Sequence, residues 1–137
     1  MKRPPAELCR AWQLKAHSDL HTARQIGGLP DGHLDAGIYH CQQAAEKSLK
    51  SYLVFHETAF DKIHDLGELI QQAGQINPAF QQYVDAAETL TPYSVAYRYP
   101  DEQGFPEPTR EEFDAARQHA QSICDFVLNL LPREARP

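Results

Sequence analysis

The stretch LDAGIYHCQQAAEKSLKSYL, residues 34–53, decides the fold class of this chain. Apolar side chains recur in it every three or four residues, which is the spacing of one face of an α-helix. The members of this seam are Leu34, Ile38, Cys41, Ala45, Leu49, Tyr52 and Leu53. The pattern predicts a helix from His33 to about His56, roughly 35 Å long. Glu46 and Lys50, four residues apart in the favourable order, fall on a different face of it.

An earlier segment of the chain has the same helical period. Its apolar stripe consists of Leu8, Trp12, Ala16, Leu20 and Ala23. Proline suits the entrance of a helix, and paired glycines favour its end. The segment therefore predicts a first helix from about Pro5 to Ile26, stopped by Gly27 and Gly28.

Two shorter helices are predicted after the second one. The first of them runs from about His64 to Ala73 and is ended by Gly74. The next begins at Asn77, because asparagine is a good helix cap and Pro78 suits the first helical position. Its apolar residues are Phe80, Val84, Ala87 and Leu90.

The last helix opens with a capping box. Thr109 and Glu112 have the spacing at which each side chain accepts a hydrogen bond from the other residue's amide. The apolar face that follows consists of Phe113, Ala116, Ala120, Ile123, Val127 and Leu130. Pro132 closes the helix, and no segment alternates with the period of a strand. The sequence therefore predicts an all-α fold, an up-and-down bundle of about five helices, as one domain over residues 1–137.

Composition and charge exclude several classes of protein. A chain of 137 residues can bury a core without disulfides or metals. The net charge of −6 argues against broad, sequence-blind binding to nucleic acid, which needs a basic surface. No apolar run approaches the roughly 20 residues that span a bilayer, and the basic first residues are not followed by an apolar segment. We therefore expect no membrane segment, a cytoplasmic location and no cofactor.

Neither the cysteines nor the histidines predict a metal site. Cys9, Cys41 and Cys124 are far apart and fall on the apolar sides of predicted helices, so we expect three buried free thiols. His17 and His21 are one helical turn apart but have no obvious third ligand.

The stretch TPYSVAYRYPDEQGFPEP, residues 91–108, separates the last two helices. Pro92 could start one helical turn that carries Tyr93 and Tyr97, but the later prolines forbid a long helix. Irregular segments of this length are often functional, and this one holds three tyrosines and Arg98. It is either a functional loop or a loop whose tyrosines cover the end of the bundle.

Three blocks of this sequence together resemble the HEPN family. They are CQQAAEKSLKSYL at residues 41–53, IHDL at 63–66 and YSVAYRYPD at 93–101, and their order and spacing also fit. The resemblance covers the chain from Ala11 to about Leu131. It implies a bundle of four long helices with a short additional one, usually as a homodimer. Many members accompany a minimal nucleotidyltransferase, as paired subunits or toxin–antitoxin partners, and others are ribonucleases.

The ribonuclease members carry an arginine followed, after four to six residues, by a histidine. After Arg98 the permitted positions hold Gln103, Gly104 and Phe105, and none is histidine. Arg10 and His17 satisfy the spacing, but they lie early in the first helix, where a solvated helix face explains them better than catalysis. We therefore predict no catalytic residues.

Seven residues from the family-like blocks are candidates for binding a nucleotide or another phosphate: Lys47, Lys50, His64, Tyr93, Tyr97, Arg98 and Tyr99. Arg98 could clamp a phosphate while a neighbouring tyrosine stacks on a base. If the bundle brings Lys47, His64, Tyr93 and Arg98 to one end, they form a small anion-binding pocket. In the alternative reading they tie the loop to the helices, with Glu46 and Asp101 as salt-bridge partners.

The leading hypothesis is a non-catalytic HEPN module that dimerises and serves as partner or regulator of a nucleotidyltransferase, with a nucleotide-sized pocket. One alternative is a metal-independent endoribonuclease of the HEPN type that acts on RNA. Another is a nucleotide or small-molecule sensor. The missing arginine–histidine spacing favours the first hypothesis over the second.

Overall fold

The computed structural model describes residues 3–60 and 62–137. These residues form five α-helices, namely α1 (Pro5–Gly27), α2 (Leu34–Phe55), α3 (Leu66–Ile76), α4 (Val84–Leu90) and α5 (Arg110–Leu130). No β-strand occurs within the described ranges. The predicted all-α bundle with an additional short helix is confirmed.

Helix α2 is the centre of the bundle. It packs against α1 over its length and also contacts α3, α4 and α5. Its buried residues extend well beyond the predicted apolar seam and include polar side chains, among them Gln42, Glu46, Ser48 and Lys50. The predicted placement of Glu46 and Lys50 on a second face was right, but that face is also buried, because neighbours surround α2.

The buried stripe of α1 differs by one residue from the predicted one at its start. Leu8 is exposed and Trp12 is half-buried, whereas Cys9 and Gln13 are buried. The Gln13 amide donates a 2.6 Å hydrogen bond to the Ser51 hydroxyl of α2, which offsets the cost of burying both groups. The spacing of apolar residues alone does not reveal this stripe, because one of its members, Gln13, is polar.

Helix α3 begins later and ends later than predicted. Asp65 is its cap, since the Asp65 carboxylate accepts hydrogen bonds from the amides of Gly67 and Glu68 at 2.8 and 3.3 Å. His64 therefore lies just before the helix. The helix continues through Gly74 to Ile76, because a glycine inside a helix costs only about 1 kcal/mol.

The segment after Asn77 is less regular than predicted. The Asn77 side chain caps it as expected, accepting a 3.0 Å hydrogen bond from the Ala79 amide. Pro78–Tyr83 then forms tight 3₁₀ turns, so the α-helical part, α4, has only seven residues. The turns leave Phe80 fully buried against Tyr52 of α2, at a ring distance of 4.8 Å.

Only half of the predicted capping box of α5 is formed. The Thr109 hydroxyl accepts a 3.0 Å hydrogen bond from the Glu112 amide, as predicted. The Glu112 carboxylate instead accepts hydrogen bonds from the hydroxyls of Tyr93 and Tyr97. Helix α5 is thereby joined to the segment that precedes it.

A glycine of α2 leaves room for a ring of α5. A methyl group at Gly37 would lie 2.7 Å from Cε2 of the buried Phe113, so Gly37→Ala is expected to destabilise the protein by about 1–3 kcal/mol. Gly74→Ala is the matched control, because its methyl group would meet nothing within 4 Å. That change is expected to stabilise α3 by up to about 1 kcal/mol. Urea unfolding of both variants checks the pair, and equal effects would contradict the close contact at Gly37.

The cysteines are buried and free, as predicted. No helix of the described residues is both long enough and apolar enough to cross a membrane.

Candidate functional site

The segment between α4 and α5 is anchored at its start. Thr91–Ser94 forms one 3₁₀ turn that carries Tyr93, and Tyr97 lies beyond this turn. The Thr91 hydroxyl accepts a 3.1 Å hydrogen bond from the Leu66 amide at the start of α3. The segment is therefore tied to the bundle before it reaches Arg98.

Tyr93 and Tyr97 face Glu112. The Tyr93 hydroxyl donates to the Glu112 carboxylate at 2.9 Å, and the Tyr97 hydroxyl donates to it at 2.8 Å. The pKa of Tyr93 is raised mainly by burial and secondly by its hydrogen bond to Glu112. The pKa of Tyr97 is raised mainly by its hydrogen bond to Glu112. Neither hydroxyl is directed toward Arg98 and His64, so the predicted pocket does not include Tyr93.

Arg98 lies against two aromatic rings. Its guanidinium carbon is 4.3 Å from the centre of the Tyr39 ring on α2 and 5.6 Å from that of Tyr99. One guanidinium nitrogen donates a 3.2 Å hydrogen bond to the Ser94 carbonyl. These contacts hold a solvent-exposed cation in one place. The sequence predicted Arg98 and Tyr99 as site residues but did not point to Tyr39. The only available signal for Tyr39 was its position in the period of α2, which places it at the half-exposed edge of the helix.

A surface groove of about 460 Å³ begins at Arg98. We name it the Arg98 groove, and its lining residues are Tyr39, Gln43, Glu46, His64, Ser94, Val95 and Arg98. It lies between α2 and the residues that follow α4. Of the seven predicted candidates, the structure brings His64 and Arg98 together here.

Glu46 forms the charged floor of the Arg98 groove. It is only 5% exposed, and its carboxylate lies 3.1 Å from the Lys50 ammonium and 3.3 Å from Nδ1 of the more exposed His64. The Gln42 amide donates a further hydrogen bond to it at 3.1 Å. Glu46 therefore forms a salt bridge with Lys50 and lies within hydrogen-bond distance of His64, as the alternative reading expects.

Lys50 is not available to a ligand at the surface. It is 5% exposed, and its ammonium lies 5.8 Å from the centre of the Trp12 ring and 5.2 Å from that of Phe60. Its prediction as a binding residue is not supported by this position. The ammonium neutralises Glu46 from beneath the groove.

Lys47 points toward α1 and does not line the Arg98 groove. Its ammonium lies 2.6 Å from the carboxylate of Asp19, and His40 Nδ1 lies 2.8 Å from the same group. Asp19 is buried, so the Lys47 ammonium and the His40 ring compensate its desolvation and join α1 to α2. The predicted cluster of Lys47 with Arg98 is therefore not formed.

Asp101 and Arg10 have other partners in the structure. The Asp101 carboxylate accepts a 2.8 Å hydrogen bond from the Gln103 amide in a tight turn, and no ion pair links it to Arg98. Arg10, which matched the arginine–histidine spacing with His17, donates to the Glu134 carbonyl near the end of the chain. Within residues 3–60 and 62–137, no group of three histidine, cysteine or acidic side chains is arranged to hold a metal ion.

Comparison with known proteins identifies the family. The chain is similar over 90% of its length to the crystal structure of TT1696 from Thermus thermophilus, with a TM-score of 0.80, 28% identity and 98% of that chain covered. It is also similar over 93% of its length to the crystal structure of ST0689, an archaeal HEPN homologue, with a TM-score of 0.70, 25% identity and 96% of that chain covered. The search of curated proteins found no match. The family model of the HEPN domain matches residues 9–130, and the chain therefore belongs to the HEPN domain family.

Proposed function

We propose that this protein is a non-catalytic HEPN module that dimerises, serves as partner or regulator of a nucleotidyltransferase, and binds a nucleotide in the Arg98 groove. The observation that carries the binding proposal is the position of the Arg98 guanidinium, fixed against Tyr39 at a groove of about 460 Å³. Ligand pockets for small molecules have about 300–1,000 Å³, so the groove is large enough for a nucleotide.

Arg98 has the donors that a phosphate requires. A guanidinium carries five N–H donors, and the Ser94 carbonyl takes one of them. The others are free to bind phosphate oxygens in the paired geometry that arginine favours. Because the contacts with Tyr39 and Ser94 already order this side chain, binding costs less conformational entropy than it would for a mobile arginine.

The absence of a histidine at the family spacing after Arg98 supports a non-catalytic role.

One observation favours the alternative, a metal-independent endoribonuclease. His64 and Arg98 line the same groove, and the histidine could serve as acid or base beside a phosphate held by arginine. Cleavage of RNA by the wild-type protein, lost in His64→Ala, would establish that alternative and overturn the non-catalytic proposal.

Arg98→Ala is expected to weaken nucleotide binding by about tenfold to a hundredfold, because hydrogen bonds to charged groups contribute about 1.5–3 kcal/mol. Isothermal titration calorimetry with ATP measures the change. Arg24→Ala, which removes an exposed arginine of α1, is the matched control and should bind like the wild type. Binding of ATP that is unchanged in Arg98→Ala would place the site elsewhere.

The partner proposal needs its own experiment. The tagged chain is used to capture proteins from its native lysate, and the captured proteins are identified by mass spectrometry. Stoichiometric recovery of a nucleotidyltransferase supports the proposal, whereas recovery of this chain alone contradicts it. The oligomeric state of the purified protein, measured by light scattering, tests the homodimer.

A further inference from the structure

We infer that Gln43 makes the Arg98 groove selective for adenine nucleotides by accepting a hydrogen bond from the exocyclic amino group of the base. This inference rests on the proposed nucleotide binding and adds the identity of the base. Its starting point is a chain of hydrogen bonds along α2, in which Gln43 contacts Gln42 at 2.7 Å and Gln42 contacts Glu46 at 3.1 Å.

The charge of Glu46 determines the orientation of both amides. The Glu46 carboxylate, paired with the buried Lys50 ammonium at 3.1 Å, accepts a hydrogen bond from the Gln42 NH₂ group. Gln42 must therefore turn its NH₂ group toward Glu46, which leaves its carbonyl oxygen facing Gln43. Gln43 must in turn donate to that oxygen through its own NH₂ group.

Gln43 consequently keeps its carbonyl oxygen and one N–H for a ligand. The residue lines the groove one helical turn from Tyr39, at a separation of about 6 Å between neighbouring positions on a helix face. A glutamine amide pairs with adenine through the amino group and N7 of the base. Guanine has an oxygen acceptor in place of the amino group, which would face the Gln43 carbonyl oxygen without a hydrogen bond. Val95, an exposed apolar side chain of the groove, offers a surface for the base.

The test compares ATP with purine riboside 5′-triphosphate, which has hydrogen in place of the amino group. The wild-type protein should bind ATP about tenfold more tightly, the effect of one good hydrogen bond. In Gln43→Leu the affinity for ATP should fall by at least that factor, and the two nucleotides should bind equally. Gln118→Leu, an exposed glutamine of α5, is the matched control and should keep the wild-type preference.

Each outcome has a separate meaning. Equal affinity of the wild type for the two nucleotides overturns the role of Gln43 and leaves nucleotide binding intact. A preference for ATP that persists in Gln43→Leu also overturns it. If the wild type binds neither nucleotide, the proposed binding function itself is wrong. Circular dichroism of Gln43→Leu checks that the substitution at this half-exposed position leaves the fold unchanged.

Discussion

Glu46→Gln is expected to lower the free energy of unfolding by about 3–5 kcal/mol, because it leaves the buried Lys50 ammonium without its counter-charge. Glu46 and Lys50 are each 5% exposed, so water cannot replace the lost carboxylate. The aromatic rings of Trp12 and Phe60 compensate only part of the ammonium's desolvation. Urea unfolding followed by circular dichroism measures the change.

Two further variants separate the ion pair from the general effect of a substitution. Glu88→Gln, at an exposed position of α4, should change stability by less than about 0.5 kcal/mol. Adding Lys50→Met to Glu46→Gln removes the uncompensated charge and should recover at least half of the loss. A loss below about 1 kcal/mol in Glu46→Gln alone would contradict a buried, compensated pair.

The three cysteine thiols are expected to react far more slowly in the folded protein than after denaturation. Burial raises the pKa of Cys9 from 9.0 to about 11 and the pKa of Cys41 and of Cys124 to about 12. Only the thiolate is nucleophilic, so the raised pKa lowers the reactive fraction by about a hundredfold for Cys9 and about a thousandfold for Cys41 and Cys124. Titration with an aromatic disulfide reagent, with and without denaturant, measures the difference. Rapid reaction of any thiol in the native state would contradict its burial.

The same shifts predict loss of stability at alkaline pH. A group whose pKa is raised on folding holds its proton more tightly in the folded state. The contribution of each buried thiol to the free energy of unfolding is therefore complete below pH 9. It is lost as the pH rises from 9 towards 12. Tyr52, Tyr93 and Tyr97, whose pKa values are also raised, act in the same direction. Denaturant unfolding at increasing pH should show the decline, and unchanged stability across this range would contradict it.

Most of the fold could be predicted because the helices carry their own signals. The seam of α2, Asn77 as a cap and Thr109 at the start of α5 depend on residues close in sequence, and each was placed correctly. The boundaries of α3 were wrong because Asp65 is a stronger start signal than His64, and because Gly74 does not by itself end a helix.

The candidate site could be predicted only in part, because its geometry depends on contacts between distant segments. Arg98 and His64 were found from the family-like blocks, and they do line one groove. Tyr39 was missed because a half-exposed aromatic residue on an amphipathic helix has no distinctive pattern. Lys47 was assigned to the site because its partner, Asp19, lies on another helix and the sequence does not show which acidic residue it meets.

The backbone of Tyr97 has a consequence for local dynamics. Tyr97 has a φ of 68°, in the left-handed region that costs a residue other than glycine about 1 kcal/mol. The hydrogen bonds from the Tyr97 hydroxyl to the Glu112 carboxylate offset this cost. When they break, the backbone of Tyr97 can relax and its strain is released. Opening of the segment after Tyr97 therefore requires less free energy than separation of the helices. Amide hydrogens there should exchange through this partial opening while the bundle stays folded.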